Sequence, residues 1–103
     1  MNTVMPENFA GDSLSSAFIW YHADARLAGQ LADWVRKISS ELDVDGRLLI
    51  RHQKDKTTFM ENYAGAGKET VAHIEQMAVK QDWFAQLLSA RQAEIFAQVN
   101  LRK

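Results

Sequence analysis

One stretch near the middle of the chain constrains the fold more than any other. Residues 57–63 read Thr-Thr-Phe-Met-Glu-Asn-Tyr, and the next four, residues 64–67, read Ala-Gly-Ala-Gly. β-Branched and aromatic residues are typical of a β-strand, and the glycines predict where that strand stops. A helical pattern begins directly afterwards, so the hydrophobic period changes here from 2 to 3.6. We therefore predict a strand that turns straight into a helix.

Composition and charge exclude several classes of protein. With 103 residues, of which 47% are hydrophobic, the chain fits one globular domain. Its formal net charge of −1 and pI near 6.3 argue against nucleic-acid binding and a polybasic membrane patch. The absence of cysteine excludes disulfides and thiolate metal sites. Because the longest apolar run, residues 17–21, is too short to span a bilayer and no signal peptide is evident, we predict a cytoplasmic protein.

Hydrophobic periodicity divides the chain into a polar start and six elements. Residues 1–16 are predicted to be a flexible N-terminal tail, and residues 17–103 the single domain. Strands are predicted at residues 17–22, 47–52, 57–63 and 93–99, and helices at residues 25–42 and 68–81. The order β-α-β-β-α-β, with right-handed crossovers, gives an α+β, ferredoxin-like fold. Such a fold has a four-stranded antiparallel sheet with both helices on one face.

Two helices can cover only one face of this sheet. The first and third strands carry large apolar or aromatic side chains on both faces, namely Phe18, Ile19, Trp20, Tyr21, Phe59, Met60 and Tyr63. Some of them must therefore lie on the face without helices, and an exposed patch of that size is unusual on a soluble monomer. We predict a homodimer in which two copies pack sheet against sheet.

With a sheet-to-sheet dimer, this order of elements resembles the dimeric α/β-barrel superfamily. That superfamily includes antibiotic-biosynthesis monooxygenases, haem-degrading monooxygenases, and several isomerases and dehydratases. Its members often end the third strand with Glu-x-aromatic and place a His early in the next helix, as Glu61-Asn62-Tyr63 and His73 stand here. The haem-degrading members carry a Trp where this chain has Tyr63, and the chain has no His near Leu88. The resemblance therefore does not imply haem degradation.

A narrower resemblance is to a family of short bacterial proteins of unknown function. Its members carry a Thr-aromatic-Met-Glu-x-Tyr strand and, near the C-terminus, an Arg-x-x-Glu-x-Phe strand. Residues 58–63 and 91–96 of this chain follow those two patterns, and residues 46–51 resemble the second strand of the family. Gln92 departs from the pattern, because the family often has His there. Because the function of that family is unknown, the resemblance implies no particular reaction.

Glu61, Tyr63 and His73 are the candidate catalytic residues. Glu61 and Tyr63 alternate along the strand and so should share a face. A carboxylate on a central strand must be paired or protonated. In one interpretation Glu61 forms an ion pair with Arg51 across the hairpin. In the other, Glu61 and Tyr63 orient a ligand in a pocket between sheet and helices.

Further side chains are candidates for ligand binding: Trp20, His22, Arg51, Trp83 and Arg91. Trp83 could close the mouth of a pocket, although core packing explains a tryptophan equally well. Arg91 is expected to pair with Glu94 or Glu61. The three histidines lie on separate elements without ligand spacing, so we predict no metal, and no motif indicates a cofactor.

The sequence leaves two functions open. The favoured one is a non-catalytic binding or structural module, whose partners are a second copy of itself and, as an open alternative, a small apolar ligand. The other is a cofactor-independent monooxygenase-like enzyme or isomerase that acts on a small apolar or aromatic substrate. In that case the three catalytic candidates would handle protons. A cavity lined by those candidates would favour the enzyme, whereas a tightly filled interface between sheet and helices would favour the module.

Overall fold

The computed structural model describes residues 14–99 and residue 101. The elements are β1 (Ser15–His22), α1 (Ala28–Leu42), β2 (Asp45–Gln53), β3 (Lys56–Ala64), α2 (Lys68–Ala78) and β4 (Gln92–Ala97), with 3₁₀ segments at Ala25–Leu27 and Asp82–Gln86. The four strands form one antiparallel sheet in the order β2-β3-β1-β4. The predicted α+β, ferredoxin-like fold is confirmed. Neither described helix combines the length and hydrophobicity that crossing a membrane requires.

Several boundaries differ from prediction by two or three residues, and hydrogen bonding explains two of these differences. β1 begins at Ser15, two residues before its predicted start, because its neighbours reach that far: Ser15 pairs with Ala97 of β4. α2 ends at Ala78, because the N–H groups of Lys80 and Gln81 bond to carbonyls three residues back instead of four. Most of the predicted tail, residues 1–13, lies outside the described residues.

The turn from β3 into α2 follows from the glycines that the sequence places there. Gly65 has a φ of 89°, a backbone conformation that residues with a Cβ rarely adopt. Its N–H donates to the carbonyl of Ser15 at 2.7 Å, which ties the end of β3 to the start of β1. Gly67 then caps α2. The predicted change from strand to helix is therefore made within a short segment.

Both helices pack on one face of the sheet, and the core lies between. Because side chains alternate along a strand, every second residue of β1 and β3 points to the helices. The side chains buried there are Ala17, Ile19 and Tyr21 of β1, Phe59, Glu61 and Tyr63 of β3, Leu31, Trp34, Val35 and Ile38 of α1, and Val71, Ile74 and Ala78 of α2. The helix-covered face is thus a continuous core that contains one carboxylate, Glu61.

The opposite face, which we call the open face, has no helix over it in the described part of the chain. It carries Phe18 and Trp20 of β1, Met60 of β3, Leu49 of β2 and Phe96 of β4. The first three are half-buried, whereas Leu49 is 53% and Phe96 58% exposed. Of the seven large apolar or aromatic side chains of β1 and β3, three therefore lie on the open face, and two from the outer strands join them.

Candidate functional site

The carboxylate of Glu61 is the centre of the polar groups within the core, and it is completely buried. The hydroxyl of Tyr63, two residues further along β3, donates to Oε1 at 2.7 Å. The hydroxyl of Tyr21 on β1 donates to Oε2 at 2.6 Å. Trp34 reaches down from α1, and its Nε1–H donates to Oε1 at 3.1 Å. Two strands and a helix therefore each supply a donor to one carboxylate.

The guanidinium of Arg91, just before β4, is the counterion of Glu61. Nη1 donates to Oε2 at 2.7 Å and Nη2 to Oε1 at 3.1 Å, so the pair is bidentate. The other edge of the guanidinium faces Glu75 of α2, which accepts from Nε at 2.9 Å and from Nη2 at 2.8 Å. The side chain of Arg91 is only 2% exposed. It therefore links β3 to α2 from inside the protein.

Aromatic rings enclose this guanidinium. Its Cζ lies 5.0 Å from the centre of the Tyr21 ring and 5.5 Å from that of Trp83, within the range of cation–π attraction. Trp83 also packs edge-to-face on Trp34, with ring centres 5.2 Å apart. These side chains form one unit, which we call the Glu61 cluster: Tyr21, Trp34, Glu61, Tyr63, Glu75, Trp83 and Arg91.

The surroundings shift the pKa values of three members of the cluster, namely Tyr21, Tyr63 and Arg91. Burial, followed by the charge of Glu61 and its hydrogen bonds, raises the pKa of Tyr21 and of Tyr63 far above the ordinary value. Burial by itself would lower the pKa of Arg91. Its hydrogen bond to Glu75 and the charge of Glu61 outweigh that effect, so the net shift of its pKa is upward. Both phenols thus stay neutral and the guanidinium stays charged at physiological pH.

The hydrogen-bonding capacity of Glu61 is fully used. Oε1 accepts from Tyr63, Trp34 and Arg91, and Oε2 accepts from Tyr21 and Arg91. A carboxylate offers about four lone-pair sites, so these contacts leave none for a further donor. Among the described residues, no buried side-chain nitrogen or oxygen lacks a partner. The arrangement orders the core and leaves Glu61 unable to accept a hydrogen bond from a ligand or to act as a free base.

The structure brings together four of the predicted site residues: Glu61, Tyr63, Trp83 and Arg91. The expected pairing of Arg91 with Glu61 is confirmed. The pairing of Glu61 with Arg51 is wrong, because the register places Arg51 opposite Thr58. Since Thr58 and Glu61 point to opposite faces of β3, Arg51 lies on the open face and is exposed.

The other predicted site residues lie elsewhere. His73 is exposed on α2 and is not part of the Glu61 cluster. Trp20 and His22 are on the open face, where Nδ1 of His22 is 3.0 Å from Oγ1 of Thr58. Trp20 and Arg51 line a depression of about 350 Å³ on that face. The three catalytic candidates are therefore not one site, whereas two of the ligand-binding candidates share a surface.

Three members of the cluster were not among the predicted site residues: Tyr21, Trp34 and Glu75. For Trp34 a signal existed, because it lies in the apolar stripe of α1 and a buried indole N–H needs an acceptor. Glu61 was the buried acceptor available. Glu75 gave no such signal, because it is 16 residues from Arg91 and half-buried at the edge of α2.

The acidic groups of the cluster do not form a metal site. Within the described ranges, no three His, Asp or Glu side chains are grouped closely enough to hold a metal ion. The Oε atoms of Glu61 and Glu75 that face inward are bound to Arg91.

No family model and no curated protein matches this chain. Among solved structures, it is similar to a candidate PII-like signaling protein from Thermus thermophilus, with a TM-score of 0.57 and 11% identity over 84% of this chain and 91% of that one. It is also similar to the C-terminal domain of the MgtC protein from Mycobacterium tuberculosis, with a TM-score of 0.54 and 9% identity over 96% and 98% of the two chains. At these identities the likeness shows the ferredoxin-like fold alone. Membership of the short bacterial family stays a prediction.

Proposed function

We propose that this protein is a non-catalytic binding module that forms a homodimer through its open face, as in the dimeric α/β-barrel arrangement, and works in the cytoplasm. The part of this proposal that says the module is non-catalytic rests on the environment of Glu61. Its carboxylate is completely buried, and five hydrogen bonds from the chain's own side chains occupy it. Such a group stabilises one packing arrangement of helices on sheet.

The enzyme alternative has less support from this geometry. A general base needs a free lone pair within hydrogen-bonding reach of its substrate. Glu61 has neither access nor a free lone pair, and Tyr63 uses its hydroxyl proton to bond that same carboxylate. His73, the third proton-handling candidate, lies on the exposed side of α2. A substrate would have to open the core before it could meet these groups.

The apolar side chains of the open face support the homodimer. They form a band across all four strands, with Phe18 against Phe96 edge-to-face at 5.6 Å. Trp20 pairs with Met60, and Met60 with Leu49 on its other side. A connected apolar band on the surface of a small protein is typical of an interface. A second copy packed on this face would bury the band and leave the hydrogen bonds within each sheet unchanged.

Charges at the two edges of the open face also favour a second copy. Arg47 on β2 and Glu94 on β4 lie at the same level along the strands, because the register joins them through Asn62 and Phe18. A two-fold axis parallel to the strands would stack β2 of one copy over β4 of the other. Arg47 would then face Glu94 of the partner subunit, and the contact would occur twice. The interface would have an apolar centre and a charged rim, as is usual.

Sedimentation equilibrium at micromolar concentration tests this proposal. We expect a species of twice the 11.7 kDa chain mass. Glu94→Arg places like charges in the rim and should weaken the dimer by about tenfold or more. Adding Arg47→Glu to that variant exchanges the charges and should restore much of the affinity. Glu41→Arg, the same change at an exposed position of α1, is the matched control and should have no effect.

A wild-type protein that stays monomeric would contradict the homodimer. A dimer that ignores Glu94→Arg would keep the homodimer but reject the strand-parallel axis.

A further inference from the structure

Arg51 differs from the other arginines that the structure describes. Each of the others has a carboxylate within 4 Å: Arg26 has Asp24, Arg36 has Asp33, Arg47 has Asp45, and Arg91 has Glu61 and Glu75. Within the described part of the chain, Arg51 has no ion pair and no hydrogen bond from its guanidinium. It lies near the hairpin turn, opposite Thr58 of β3. Its charge is therefore available to a carboxylate from another molecule.

The surface next to Arg51 is apolar and concave. The depression of about 350 Å³ is lined by Trp20, Leu49, Ile50, Arg51, Thr58 and Met60. Leu49, Met60 and Trp20 lie side by side on three neighbouring strands and make an apolar floor. Arg51 and Thr58 stand one level further along the strands and make a polar end. The depression thus has one cationic end and one apolar end.

We propose that this depression binds a small carboxylate with an aromatic or aliphatic body. The guanidinium of Arg51 matches a carboxylate group, since the planar fork can donate two parallel hydrogen bonds. The Thr58 hydroxyl lies at the same end as a further polar partner. The body of the ligand would cover Met60 and the half-buried ring of Trp20. A phosphate would satisfy the cationic end but leave the apolar floor unused.

This inference rests on the proposed function, because it names the ligand of the binding module. In the homodimer, β4 of the partner subunit would lie over β2 and cover the depression. Exclusion of water from above strengthens the attraction between guanidinium and carboxylate. The chain would supply the cation and the apolar floor, and the second copy would supply the cover.

Benzoate is a suitable probe, and the indole N–H signals of the ¹⁵N-labelled full chain report where it binds. Benzoate should move the signal of Trp20 and the Nε signal of Arg51. It should leave the signal of Trp34, which bonds Glu61 inside the core, in place. Benzamide lacks the charge and acetate lacks the ring, so each should bind more weakly by about tenfold or more. This pair of controls separates the two ends of the site.

Arg51→Gln removes the charge from an exposed position and should weaken benzoate binding by about tenfold or more. Arg36→Gln, the same change on the exposed side of α1, should leave the affinity within about twofold. Equal binding of benzoate and benzamide, an unaffected Arg51→Gln variant, or a signal change confined to Trp83 and Trp34 would each overturn the carboxylate site.

Sedimentation of the same samples keeps this inference separate from the homodimer. A dimer that does not bind benzoate overturns the carboxylate site and leaves the homodimer standing. A monomer that binds benzoate at Trp20 and Arg51 supports the site and removes only the homodimer.

Discussion

The charged side chains on the two faces of the sheet differ in how they are paired. On the helix-covered face, Glu61 has no access to water, and the chain itself provides Arg91 and three neutral donors to balance it. On the open face, the guanidinium of Arg51 stands beside an apolar depression and has no partner among the described residues. A buried charge left without a partner costs about 3–5 kcal/mol of stability, whereas a charge at the surface is solvated and can pair with a group of another molecule. The difference separates groups that hold the fold from groups that are free to bind.

Removing one arginine from each face tests this difference directly. Arg91→Met leaves the carboxylate of Glu61 buried without its counterion. We expect the free energy of unfolding to fall by about 3–5 kcal/mol. Arg51→Met changes an exposed side chain and should lie within about 0.5 kcal/mol of the wild type. Urea unfolding followed by tryptophan fluorescence measures both.

A double-mutant cycle with Glu61→Gln assigns the effect to the pair. The double variant Glu61→Gln, Arg91→Met contains no buried charge at this place, so its loss should be smaller than the sum of the two single losses. The same cycle between Glu61 and Arg51 should show no coupling, because the two side chains point to opposite faces. Coupling of Glu61 to Arg51 but not to Arg91 would refute the division of roles between the faces.

High pH tests the helix-covered face alone, because both tyrosines of the chain lie in the Glu61 cluster. Their pKa values are raised in the folded protein, so above pH ~10 the unfolded chain loses phenol protons that the folded chain keeps. The folded state then binds more protons, and the free energy of unfolding falls as pH rises. The stabilisation is complete below the ordinary pKa and is lost above it. For two such groups the slope is about 1.4 kcal/mol per pH unit at pH ~10 and approaches about 2.7 kcal/mol per pH unit near pH ~11, where the unfolded phenols have lost nearly all their protons.

Denaturant unfolding at a series of pH values between about 9 and 11 measures that slope. Tyr63→Phe removes one titrating group and should halve it, whatever the variant does to stability at neutral pH. A stability that does not change across this range would mean that the phenols reach water in the folded protein.

Sequence reasoning predicted the elements because their signals are local. The apolar stripe of α1 repeats at three and four residues, and Leu31, Trp34 and Ile38 are all buried as that period requires. The strand 57–63 and the glycines after it were predicted from β-propensity and backbone freedom, and β3 ends within one residue of that prediction. A period of 2 also predicted that Glu61 and Tyr63 share a face, as they do.

The partner of Glu61 could not be fixed in the same way. The alternation of side chains determines which residues of one strand share a face. Which residues of two neighbouring strands lie opposite each other depends on the register between the strands. The hairpin turn places Gln53 against Lys56, and this puts Leu48 opposite Glu61 and sends Arg51 to the other face. Arg91 is 30 residues from Glu61, and only the docking of β4 beside β1 brings the two together. Non-local pairing of this kind leaves no period in the sequence.

The smallest expected effects concern the packing under α1 and its exposed surface. A Cβ at Gly46, opposite Tyr63, would press against Oγ of Ser39 and would lie 2.9 Å from Cγ1 of Val35 and 3.0 Å from Cε1 of Tyr63. The Tyr63 ring cannot move aside without stretching its 2.7 Å hydrogen bond to Glu61. Gly46→Ala should therefore cost about 1–3 kcal/mol of unfolding free energy, as overpacking does.

Gly29 provides the matched control, because it lies in α1 and a Cβ there would meet no atom within 4 Å. Gly29→Ala should raise the free energy of unfolding by about 0.5–1 kcal/mol, since alanine loses less backbone entropy in a helix. Gly46→Ala is thus expected to lower the free energy of unfolding, and Gly29→Ala to raise it. Thermal or urea unfolding of the two variants measures both effects. A Gly46→Ala variant as stable as the wild type would show that Tyr63 has room to shift. The Glu61 cluster would then be looser than its hydrogen bonds indicate, and its core would be accessible to a ligand after all.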